Sequence, residues 1–273
     1  MNKEESFTLR RGTEAIITAD ITYSENASNK VAVFVHGFKG FKDWGAHNLV
    51  ANHFAFNAIH YVKFNFSLSG VNHNNPIDIT EMELFASNTP SIELLDLELI
   101  IDFVIEQFGN SEITLIGHSR GGGISVLTAA KDKRIQKLIT WASIDSFSSL
   151  WKKEQEDDWR VNGQIEVYNA RTQEFMPLNL TLLEDVEQNQ EKLDIINAAK
   201  KLDIPWLIIH GNEDINVNIS VAKNFKSINP AAEFLEIFGT NHVFNATHPY
   251  NLNQLPKALE TVCETSVKFI NNG

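Results

Sequence analysis

Hydrophobic positions along the chain fall into two alternating kinds of segment. "SFTLRR" and "AIITADITYS" alternate or run apolar in the manner of antiparallel strands, whereas "KVAVFV" is an unbroken β-branched run suited to a strand buried on both faces. An edge hairpin followed by a buried parallel strand is therefore predicted. "DWGAHNLVANHFAFN" then suits a helix and "AIHYVKFNF" a strand. The clearest helix is "SIELLDLELIIDFVIEQFG", where Leu94, Leu97, Ile101, Val104, Ile105 and Phe108 recur at helical spacing and Gly109 stands where a C-terminal cap belongs. The alternation continues through strand "EITLIG", helix "GGISVLTAAK", strands "IQKLITWASI" and "PWLIIHG", helix "NISVAKNFKSI", strand "AEFLEIF" and the closing helix "QLPKALETVCETSVKFI". Strands interleaved with helices in this way imply an α/β fold, a mostly parallel eight-stranded sheet flanked by helices.

Two stretches break the rhythm. "GVNHNNPIDITEMELFASNTP" reads as a long polar loop, a length that in compact domains is functional or mobile. Residues 145–201 interrupt the strand–helix alternation with a charged helix, "SLWKKEQEDDWR", a hairpin, "GQIEVYNARTQEFMPL", and further helical periodicity in "LTLLEDVEQNQEKLDIINAAKK". They are predicted to form a lid insertion between a first core part, residues 1–144, and a second, residues 202–273, of one domain overall. The lid is expected to roof the crevice at the carboxyl edge of the sheet. Trp151, Trp159, Tyr168, Phe175 and Met176 would supply its apolar surface, either as walls of the site or as the insertion's own small core.

Composition narrows the function classes. A length of 273 residues suits one large core, and no apolar run approaches the length of a membrane span. The net charge of −12 opposes nucleic acid and anionic lipid as partners. Cys263 is the only cysteine, so no intrachain disulfide forms, and the mixed-charge start lacks an apolar leader, making the cytoplasm the expected compartment. No bound cofactor and no metal is implied. Of the nine histidines, His47, His53, His60, His73 and His248 show no metal-site spacing, and His36, His118 and His210 adjoin strands or glycine turns as packed residues.

The candidate chemistry begins at "IGHSRGGG". Gly117-x-Ser119-x-Gly121 follows a strand and opens a helix, the context in which a sharp turn presents a serine as nucleophile. A serine hydroxyl needs a base to take its proton and an acid to orient that base. His242, just past "AEFLEIFGTN", supplies the base, and Asp214, in "HGNED" at the end of another strand, supplies the acid. Asp145 after the sixth strand and Glu213 beside Asp214 compete for the acid's role, and Asp214 is also a plausible N-cap. The charge that develops on an attacked carbonyl needs preorganised donors. The backbone N–H of Arg120 and that of Phe38, in the "HGFKG" turn after "KVAVFV", are expected to provide them.

The order strand-HGFKG, strand-GHSRGG, strand-HGNED, strand-GTNHVF resembles the α/β-hydrolase superfamily over nearly the whole chain, and more loosely its feruloyl or cinnamoyl esterase-like branch. The resemblance implies an α/β-hydrolase fold with a small lid and assigns Ser119, Asp214 and His242 to the triad. It departs where relatives carry a charged D-x-R-G-x-G turn after the fourth strand and this chain has "FNFSLSGVNHNN". The expected activity is a serine esterase taking a small or medium soluble ester, hydroxycinnamoyl esters included, through an acyl-enzyme. A peptidase or amidase using the same triad and a non-enzymatic ligand-binding protein are the competing readings. The oligomeric state is left open by the sequence.

Overall fold

A computed structural model describes residues 2–12, 15–72 and 74–272; His73 lies outside the described residues. The first strands are β1 (Glu4–Arg11), β2 (Ala15–Thr22), β3 (Lys30–Val35) and β4 (His60–Asn65). They are followed by β5 (Glu112–His118), β6 (Ile135–Trp141), β9 (Trp206–Gly211) and β10 (Glu233–Ile237), in the sheet order β1-β2-β4-β3-β5-β6-β9-β10. β1 and β2 pair antiparallel, β2 joins β4 antiparallel, and every later pairing is parallel. The edge hairpin and the buried parallel centre thus follow the hydrophobic pattern.

Alternation along each strand sends side chains to two separate cores. Val31, Val33 and Val35 of β3, with Leu115 of β5 and Ile208 of β9, meet the helices α3 (Pro90–Phe108), α4 (Arg120–Ala129), α7 (Ile195–Lys201) and α8 (Ser220–Ile228). Ala32 and Phe34, with Ile116, Trp141 and Ile209, face the opposite way onto α1 (His47–Phe56) and α9 (Lys257–Asn271). α3 starts on Thr89, whose side chain accepts from the Ile92 N–H, with Pro90 in the first turn. It stops at Gly109, whose φ of 63° is the left-handed backbone that favours glycine.

Residues between β6 and β9 hold short 3-10 turns, then α5 (Glu156–Asn162), the antiparallel pair β7 (Gln164–Asn169) and β8 (Glu174–Asn179), and α6 (Leu180–Gln188). The last helix of this segment, α7, belongs to the main core through Ile195, Ala198 and Ala199. The charged stretch read as one helix, "SLWKKEQEDDWR", is instead two 3-10 turns leading into α5. The long polar loop contains a helix of five residues, α2 (Met82–Ala86), which buries Phe85. No helix among the described residues is long and apolar enough to cross a membrane.

Candidate active site

Ser119 sits at φ 55°, ψ −120°, between the end of β5 and the first residue of α4. A non-glycine residue pays a steric cost for this backbone, of order one to three kcal/mol, and such strain persists only where the surroundings impose it. The surroundings are close. A Cβ at Gly121 would lie 2.2 Å from the Val35 carbonyl oxygen, so β3 and α4 meet backbone to backbone. A Cβ at Gly37 would lie 2.8 Å from the Ser119 Cβ, so the turn after β3 passes directly over the serine. Both glycines are required by contact, and any side chain at either would push the elbow apart.

Asp214 follows β9 and is buried, and its carboxylate accepts three hydrogen bonds. Oδ1 accepts the backbone N–H of Asn216 at 2.8 Å and of Val217 at 2.9 Å. Oδ2 accepts from His242 Nδ1 at 2.7 Å and lies 3.2 Å from His210 Nε2. Burial alone would raise its pKa; the hydrogen bonds from His210 and His242, the electrostatic attraction of the His242 ring and the Val217 N–H outweigh burial and hold the carboxyl below its ordinary range. The Asp214 carboxylate is thus a fixed negative charge behind the imidazole of His242, whose Nδ1 carries the hydrogen of their bond.

The structure joins Asp214 to His242 by a hydrogen bond and gives the Ser119 hydroxyl none to either. Among the described residues, His242 has no hydrogen bond to Asp145, whose side chain lines a different cavity with Trp151 and Leu183. Ser119 Oγ makes no hydrogen bond to His242, although His242 and Gly37 line one cavity and Gly37 touches Ser119. Arg120 begins α4, so its N–H lies at the positive end of the helix, and the Phe38 ring stacks on Phe85 at 5.4 Å with the Arg120 guanidinium 5.7 Å away. Neither the Phe38 nor the Arg120 N–H donates to a backbone carbonyl among the described residues.

His118 and His36, next to the site, are packing groups. His118 Nε2 meets the His242 carbonyl oxygen at 2.9 Å, which ties the backbone of His242 to the elbow, and burial pushes the His118 pKa down to about 3. His36 donates Nδ1–H to the Gly37 carbonyl at 3.0 Å and accepts the Phe66 N–H on Nε2 at 3.4 Å, a pattern that only the neutral ring satisfies. Burial lowers its pKa to about 4.

The cavity beside this constellation has a volume of about 180 Å³ and continues from Gly37, Phe38 and His242 down to Phe34, Trp141 and Leu259. The insertion contributes only Asn169 and Arg171 to it. The aromatic residues expected at its walls lie elsewhere: Trp151, Trp159 and Met176 fill the insertion's own core against Phe41, and Tyr168 and Phe175 are exposed, 5.3 Å apart. Arg171 forms a two-pronged pair with Asp78, at 2.9 Å and 2.5 Å, and Lys39 Nζ donates to the Tyr168 carbonyl at 2.8 Å.

Sequence reasoning missed those rim contacts and a buried charge cluster behind them. Lys42 and Lys63 share Asp20 and Asp43, with Lys63 only 1% exposed. Lys63 in the midst of "HYVKFNF" was the available signal, since a lysine in a buried strand must find carboxylates.

Comparison with known proteins agrees with this architecture. The sequence profile of the alpha/beta hydrolase fold family matches residues 31–172, and the chain belongs to that family. A Mycoplasma pneumoniae protein, provisionally named esterase/lipase 2, is 25% identical over 206 residues, covering 67% of this chain and 70% of its own. Among solved structures, Est1E from Butyrivibrio proteoclasticus with ferulic acid bound superposes with a TM-score of 0.72 at 16% identity, over 94% of this chain and 95% of that one. The esterase domain of a Rhodothermus marinus protein gives 0.67 at 15% identity, over 98% and 99%. At such identities the structural likeness speaks for the fold.

Proposed function

We propose that the chain is a serine hydrolase of carboxylic esters, acting on small or medium soluble substrates through an acyl-enzyme, with hydroxycinnamoyl esters as an aromatic substrate class. The observation that carries this reading is the 2.7 Å pairing of Asp214 with His242 beside a serine held at φ 55°. Ser119 Oγ attacks the ester carbonyl while His242 Nε2 takes its proton, and the resulting oxyanion is held by the N–H groups of Phe38 and Arg120. The tetrahedral intermediate collapses as the C–O bond to the alcohol breaks, and His242 returns the proton to the departing oxygen. Water then repeats the sequence on the acyl-enzyme, releasing the acid and restoring Ser119. Asp214 stays ionised throughout and balances the imidazolium. The esterase names of relatives with this fold support the ester over the amide, and the Est1E complex with ferulic acid supports the aromatic acyl group.

The test is hydrolysis of p-nitrophenyl acetate and methyl ferulate by the purified protein and by Ser119→Ala and His242→Ala, alongside labelling with a fluorophosphonate. Wild type is expected to turn over both esters and to be labelled once, and both variants to fall at least a thousandfold in kcat. Wild-type turnover by Ser119→Ala would remove the serine from the mechanism, and faster cleavage of aminoacyl amides than of matched esters would make the enzyme a peptidase.

A further inference from the structure

The cavity beside His242 has an unusual interior. Phe34, Trp44, Trp141, Phe244 and Leu259 give it apolar walls, and of the four imidazoles that line it, His36, His118 and His242 are hydrogen-bonded within the protein whereas His47 bonds to no described residue. That imidazole lies against Phe34 with ring centroids 4.1 Å apart, and its Nδ1 is buried without a hydrogen-bond partner. Nε2 bonds to no described residue either, and because His47 is half-buried and lines the cavity, Nε2 is the atom the cavity can reach. Buried polar groups are nearly always paired, so the buried, unpaired Nδ1 is an exception, and Nε2, which faces the accessible side, is left free for a ligand in the cavity.

Size and charge restrict that partner. A cavity of about 150 Å³ holds benzene, so about 180 Å³ here takes one ring with a small substituent and no long chain. Burial keeps His47 neutral, with His118, Lys63 and His36 adding to the effect, so the ring offers one donor or acceptor and no charge for an anion. The two cations at the mouth are already committed, Lys39 to the Tyr168 carbonyl and Arg171 to Asp78. A neutral hydroxyl, which both donates and accepts, suits either tautomer of His47.

Which half of an ester enters follows from the base. His242 protonates the departing oxygen, so the alcohol is held beside the imidazole. The ring of His242 and the residues after it, Val243, Phe244 and Ala246, form one side of the cavity. Building on the esterase reading above, we propose that this cavity receives the alcohol half of the ester as a ring-sized group, and that His47 Nε2 holds a hydroxyl carried on that ring. His47 is thereby a specificity-determining residue for the leaving group.

The experiment uses matched alcohols. Calorimetric binding of 4-hydroxybenzyl alcohol and benzyl alcohol to Ser119→Ala is expected to favour the hydroxylated ring by about tenfold, the worth of one net hydrogen bond in such a site. His47→Phe in the same background should abolish the ratio and His47→Gln should keep part of it, with thermal unfolding used to verify that each variant is folded. In the active wild type, kcat/KM for the acetate esters of the two alcohols should show the same preference, whereas methyl 4-hydroxybenzoate and methyl benzoate should differ little. Equal binding of the two alcohols, a preference that survives His47→Phe, or a preference found only on the acyl side would overturn the assignment. A protein that binds the hydroxylated alcohol through His47 yet cleaves no ester would refute the esterase reading and leave the cavity assigned as a binding site.

Discussion

Asp214 and Arg171 each carry a charge that serves the site, and they are held in opposite ways. The Asp214 side chain is fully buried and faces two backbone N–H groups and two imidazoles, so short local bonds fix its position and hold its charge against the cost of burial. Arg171 sits on the turn between β7 and β8, a quarter exposed, and its pairing with Asp78 crosses from the insertion to the loop after β4. The first arrangement is a rigid floor for chemistry that needs fixed geometry. The second is a clasp whose electrostatics are diluted by water and salt, suited to a rim past which ligands must travel.

Three measurements would break or sharpen that contrast. The largest effect belongs to the floor: Asp214→Asn should lower kcat by roughly ten-thousandfold, because an amide in place of the carboxylate disturbs the tautomer and leaves the imidazolium unbalanced. Asp145→Asn, lining a separate cavity, should change kcat less than about threefold. Steady-state kinetics on the two variants ranks them, and the reverse ranking would move the acid to Asp145.

Next in size is an acid-sensitive stability. His36 and His118 have folded pKa values of about 4 and about 3, against 6.5 for the free side chain. Their pKa values are depressed, so the unfolded chain binds the extra protons; stability is full above pH 6.5 and is lost as pH falls toward the folded values. Each fully engaged histidine costs about 1.4 kcal/mol per pH unit in that window. Asp214, also depressed, keeps its contribution between pH 7 and pH 5 because that range lies above the ordinary carboxyl value of 3.8, below which its loss begins. Urea unfolding at pH 7 and pH 5 should show the loss, and His36→Asn should flatten the slope by one proton. An unchanged slope in that variant would place the acid sensitivity elsewhere.

The smallest effect belongs to the rim. Arg171→Gln should cost less than about 1 kcal/mol of stability, as partly exposed pairs do, and change kcat/KM only a few-fold. The difference from wild type should vanish in 0.5 M salt, read by initial rates at low substrate. A loss as large and as salt-insensitive as that of Asp214→Asn would make the rim part of the floor.

Most of the fold was legible because strand and helix periodicity is a local property. The two-faced burial of "KVAVFV" and the six apolar residues of α3 required no knowledge of partners. The Ser119 elbow was legible for the same reason, since the glycines flanking it record a backbone approach in the residues themselves. The helix α2 was hidden because five residues among polar neighbours carry too little pattern, and its stability comes from burying Phe85. The aromatic residues of the insertion were visible, but whether they walled the site or filled their own core depended on the direction of a hairpin that no spacing encodes.

By itself, then, the sequence determined the order of strands and helices, the elbow, and which acids and histidines stood at strand ends. Only the tertiary structure chose among them. Asp214 outcompetes Asp145 for His242 because the loops after β9 and β10 meet within hydrogen-bond range, and strand adjacency in the sheet is what brings those loops together. Asp78 meets Arg171, and His47 meets the cavity, through contacts between residues far apart in the chain. Such pairings arise from how packed layers exclude water, a property of the assembled surfaces that a one-dimensional pattern of residue types does not contain.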